Sequence, residues 1–61
     1  MTDIERKIVA AKLRLAAACL SFAARAIELD DRTIVDRELA ESTLHITDAT
    51  VVLKLATERD A

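Results

Sequence analysis

The sequence predicts an all-α fold, two long helices folded into an antiparallel hairpin that is expected to dimerise into a four-helix bundle. Three observations carry this prediction. The chain has neither glycine nor proline, the residues that punctuate turns and break helices. Ala, Leu and Arg are heavily used. Apolar residues recur at alternating spacings of three and four in both halves, as packed helices require.

The first helix is expected over about residues 3–30. Thr2-x-x-Glu5 has the spacing of a capping box at its start. Met1, Ile8, Leu15, Phe22 and Leu29 occupy one heptad position, and Ile4, Ala11, Ala18 and Arg25 the other. The only interior cluster of turn or cap residues is Asp30-Asp31-Arg32-Thr33. There Asp31 or Thr33 can accept a hydrogen bond from a free amide of the next helix, and Thr33 with Asp36 has capping-box spacing. The second helix is expected over about 33–59, with Val35, Ser42, Ala49 and Ala56 at one position and Leu39, Ile46 and Leu53 at the other. Each helix would be roughly 40 Å long. One position is mainly large and the other mainly small, which lets facing layers interdigitate. The segment 43–57 is rich in β-branched residues, which favour strands. The apolar stripe runs straight through it, and helix is the preferred reading.

Sixty-one residues make one small domain, and such a chain buries only about 60% of its unfolded surface. Small folds compensate with disulfides, a metal or oligomerisation. Cys19 is the only cysteine, and with His45 it makes up all the soft ligands, fewer than a zinc site uses. Oligomerisation remains. The expected oligomer interface comprises Ile8, Leu15, Phe22, Leu29, Leu39, Ile46 and Leu53. A second stripe on the first helix, Val9, Leu13, Leu20 and Ile27, lies roughly 150° away from the first. Leu44, Val51 and Leu55 lie nearly opposite the main stripe of the second helix. Leu13, Leu20, Ile27, Leu44, Val51 and Leu55 are therefore the candidates for binding a partner protein, since large exposed apolar patches mark interaction sites.

No catalytic constellation is present. Cys19 lies in an apolar setting and reads as a small buried residue; His45 reads as a boundary residue with a bonded ring. Without glycine there is no phosphate-binding loop. The expectation is a non-enzymatic protein with no cofactor, metal or small-molecule substrate. The longest uncharged run, Leu15 to Ala24, is half of the roughly 20 residues a bilayer requires. No secretory signal pattern is visible, and a lone cysteine fits a reducing compartment. A soluble cytoplasmic protein is expected.

Net charge is −2, which gives no overall pull toward nucleic acid. Yet the stretch from Arg6 to Arg25 holds five basic residues and no acid. Lys7, Arg14 and Arg25, with Ser21 between them, form a ridge that either tracks phosphates or pairs with acids of a neighbouring second helix such as Asp36, Glu38 and Glu41. No aromatic falls on that ridge for base stacking.

The large and small heptad layers and the acidic turn Glu28-Leu29-Asp30-Asp31 resemble the Rop-type RNA-binding regulators of plasmids. That resemblance implies a dimeric four-helix bundle which binds paired RNA loops through its first helices, here at Lys7, Arg14, Ser21 and Arg25. In size, lack of loops and surplus apolar surface the chain also looks like small phage-encoded helical-hairpin dimers that act as anti-activators of bacterial transcription regulators. The leading expectation is a phage- or mobile-element-type regulator that dimerises and occludes a bacterial host protein. RNA binding and a purely structural self-assembling subunit are the alternatives.

Overall fold

Free amides at a helix start need acceptors, and Thr2 and Glu5 supply them reciprocally. The Glu5 N–H donates to Thr2 Oγ1 at 3.1 Å, and the Thr2 N–H donates to Glu5 Oε1 at 2.8 Å. From this capping box α1 runs over Asp3–Glu28. The structure, a computed structural model, describes residues 1–61.

Helix α1 ends two residues short of the expected position. Asp30 adopts a left-handed conformation with φ 56°. The Asp31 N–H then reaches back to the Ala26 carbonyl at 2.9 Å, and the Asp30 N–H to that of Ile27 at 3.1 Å. This is a Schellman ending, built on an aspartate because the chain has no glycine to place there. Asp31 next caps α2, accepting the Ile34 N–H at 3.2 Å, and α2 spans Arg32–Asp60. The alternative cap at Thr33 is not used, and Asp36 instead pairs with Arg32 at 3.1 Å.

Helix α2 is continuous through the β-branched segment. Thr43, Thr50 and Thr57 donate their hydroxyls to the carbonyls of Leu39, Ile46 and Leu53, four residues back, at 3.0, 2.8 and 2.8 Å. Each threonine thus satisfies its own polar atom inside the helix.

The two helices pack along a seam of small residues. On α1 the buried positions are Val9, Ala16, Cys19, Ala23 and Ala26; on α2 they are Val35, Glu38, Ser42, Ala49 and Ala56. Val35, Ser42, Ala49 and Ala56 are the small half of the expected α2 stripe; its large half, Leu39, Ile46 and Leu53, is exposed, and Glu38 is buried in the seam instead. The α1 stripe is not the expected one: Ile8, Leu15, Phe22 and Leu29 are all exposed, displaced by the register one residue on. Alanine opposite alanine lets the backbones approach closely, and larger side chains at those positions would hold them apart. No large side chain is fully buried. The hairpin is a slab 46 × 16 × 10 Å with a radius of gyration of 14.1 Å, against about 10.5 Å for a compact chain of this length. Neither helix is long and apolar enough to cross a membrane.

Candidate interaction surfaces

A slab one helix thick has two broad faces, and the seam decides which residues reach each. The residue before each of Val9, Ala16 and Ala23 falls on one flank of the seam. The residue after each of Lys12, Cys19 and Ala26 falls on the other. In an antiparallel pair the same rule on α2 selects the same flanks.

The first flank carries Ile8, Leu15, Phe22 and Leu29 from α1, and Ile34, Glu41, Asp48 and Leu55 from α2. A shallow groove of about 250 Å³ near the turn, lined by Phe22, Arg25, Ala26, Leu29 and Ile34, joins the two helices on this side. Asp48 is tied to Lys12 at 3.1 Å. This is a mixed face, apolar with acidic interruptions. Leu44 and Val51 continue from Leu55 along its outer rim.

The second flank carries Leu13, Leu20 and Ile27 from α1, and Leu39, Ile46 and Leu53 from α2. No charged residue interrupts these six. All are exposed, from 40% at Leu53 to 53% at Ile27.

The fold therefore redistributes the residues that the sequence grouped by stripe. Of the expected oligomer set, Ile8, Leu15, Phe22 and Leu29 lie on the mixed face, and Leu39, Ile46 and Leu53 on the uncharged one. Of the partner-binding set, Leu13, Leu20 and Ile27 share the uncharged face, whereas Leu44, Val51 and Leu55 border the mixed one. The cause is the seam register: small residues occupy the line of contact, and large ones flank it on both sides. A count of flanking large residues either side of an alanine heptad would have located this register.

Charge concentrates at the open end and along the back of α1. Arg59 grips Glu5 with two hydrogen bonds of 2.8 and 2.9 Å and also bonds Asp60 at 3.0 Å. The Met1 amine lies 2.8 Å from Asp60. The Arg59 guanidinium holds Glu5 down at about 2, helped by the Thr2 amide. The same guanidinium and the terminal amine hold Asp60 at about 2. These carboxylates raise Arg59 further above its already high range. Lys7, Arg14 and Arg25 take part in no ion pair within the chain; the ion-paired cations are the Met1 amine, Arg6, Lys12, Arg32, Arg37 and Arg59. Phe22 is 61% exposed and lines the groove beside Arg25, at one end of that ridge.

One cluster was invisible in the sequence, because the hairpin brings its members together from distant positions. Cys19, Glu38 and Glu41 place a sulfur and two carboxylate oxygens within 4.8 Å of one another. Cys19 is buried, as expected. Burial, then the Glu38 and Glu41 carboxylates, push its thiol up, which disfavours the nucleophilic thiolate. Glu38 is buried and is met by Arg37 at 3.4 Å. His45 departs from the expected bonded ring, since its Nδ1 is buried with no hydrogen-bond partner.

No protein-family model, no curated protein and no solved structure matches the chain.

Proposed function

We propose that this chain is a small non-enzymatic regulatory protein of phage or mobile-element type that acts as a homodimer, binding a bacterial protein such as a transcription regulator and occluding it. One observation carries the reading: apolar side chains cover both broad faces of a slab that has almost no interior. Fifteen large hydrophobic residues are exposed, and one homodimer interface covers one face only. The other is left to bind something else, and exposed patches of that extent mark interaction sites.

The mixed face suits a protein partner better than a second copy. Its leucines and Phe22 supply contact area, and Glu41, which makes no ion pair within the chain, supplies orientation toward a basic partner surface. The ridge Leu44, Val51 and Leu55 extends that contact along α2. The test replaces Leu44 and Leu55 by Asp. Dimer mass is expected to persist while partner capture from a bacterial lysate falls; unchanged capture would remove these residues from the site.

A second reading, Rop-like RNA binding, draws on Lys7, Arg14 and Arg25, which take part in no ion pair within the chain. Cations free of internal partners are available to phosphates, and the exposed Phe22 ring beside Arg25 offers a stacking platform at that end only. A gel shift with structured RNA at two salt concentrations separates the readings. RNA binding requires a steep salt dependence that weakens on Arg14→Ala or Arg25→Ala.

A further inference from the structure

We infer that the uncharged face, Leu13, Leu20 and Ile27 on α1 with Leu39, Ile46 and Leu53 on α2, is where a second copy of this chain docks, leaving the mixed face outward. The inference deepens the proposed homodimer by assigning its interface, and it rests on that reading only for the existence of the dimer.

Four observations favour the second copy. The first is area. The chain exposes 4590 Å², whereas a compact monomer of 6.7 kDa exposes about 3,900 Å². The surplus, roughly 700 Å² from these two values, is close to the ~800 Å² that each partner contributes to a standard interface. The second is shape. The six large residues form two central columns, bordered on α1 by Ala10, Ala17 and Ala24 and on α2 by Thr43, Thr50 and Thr57. When two such faces stack about a two-fold axis, the large side chains fill the middle. The small columns then let the helices close at the edges.

The third observation is the state of those threonines. Their hydroxyls are donated to the carbonyls of Leu39, Ile46 and Leu53. The rim can therefore enter a dry interface without stranding a polar group, the usual penalty for burying a hydroxyl. The fourth is charge. Between its ends the face carries none, so two chains of net charge −2 meet without like charges opposed. A self-complementary surface of this kind is what a two-fold interface requires.

Sedimentation equilibrium tests the assignment, with circular dichroism reporting helicity. Leu20→Glu and Ile46→Glu are expected to raise the dimer dissociation constant by about tenfold or more. Ala17→Glu is the guard against unfolding: the site is already exposed in the hairpin and glutamate is a good helix former, so helicity should hold while the dimer dissociates. Leu15→Glu on the mixed face should leave the dimer intact. Two outcomes fail differently. A wild-type chain that is monomeric at every concentration removes the homodimer itself. A wild-type dimer that survives Leu20→Glu, Ile46→Glu and Ala17→Glu but is lost with Leu15→Glu leaves the dimer standing and overturns the face.

Discussion

Two residues show how narrowly the seam is specified. Ala49 is 1% exposed on the line of contact between the helices, where a larger side chain would push the backbones apart. Ala49→Leu is expected to destabilise the hairpin by about 1–3 kcal/mol through overpacking, seen as a lower denaturant midpoint. Asp30 sits at positive φ at the carboxyl end of α1, where negative charge opposes the helix dipole. Asp30→Gly relieves both penalties and is expected to raise stability by about 0.5–1 kcal/mol. The thiol of Cys19, buried and pushed up, should react with iodoacetamide far more slowly in the native protein than in denaturant. Equal rates in both conditions would show that the seam opens freely. At this scale much was legible in the sequence. The Thr2-Glu5 box was readable, and the second cap was narrowed to Asp31 or Thr33, because both depend on neighbours in the chain. The approach of Glu38 and Glu41 to Cys19 was not, because it depends on the register between helices.

At the scale of the element, the open end is held by charge. Glu5 and Asp60 are both depressed to about 2, below unfolded values of about 4.3 and 3.9. Their contribution to stability is therefore fully present above about pH 4.5 and is lost as pH falls through about 2. Thermal midpoints between pH 6 and 2 should fall through that window in the wild type. In Arg59→Ala the midpoint should be lower at neutral pH and fall less on acidification; a parallel loss in both proteins would show that the Arg59 clasp is not the cause. Helix number, order and approximate bounds were legible from the missing glycine and proline and from the single cap cluster. The facing register of α1 was not. An alanine heptad and a leucine-rich heptad one residue apart both satisfy the period. The choice between them is made by how closely two backbones approach, a property of the pair and not of either sequence segment. The β-branched stretch of α2 was resolved by periodicity over propensity, and its threonines settle into the helix by bonding the preceding turn.

The whole molecule is a slab whose largest side chains lie outside the line of contact between its helices. Sequence counting foresaw this surplus, since both helices are apolar on more than one side. It could not sort the surplus into faces, because that sorting follows from the seam. Once the small residues take the seam, one flank is free of charge and the other carries Glu41 and Asp48. The two flanks thereby acquire the different roles proposed for them, self-association and binding of another molecule. A hairpin with so little interior should owe much of its stability to association, and association makes unfolding depend on concentration. The decisive measurement is the thermal unfolding midpoint of the wild-type chain over about a hundredfold range of concentration. A midpoint that climbs steadily with concentration is expected; a midpoint that stays fixed, with a single-chain mass throughout, would mean that the hairpin is stable with its leucines in water.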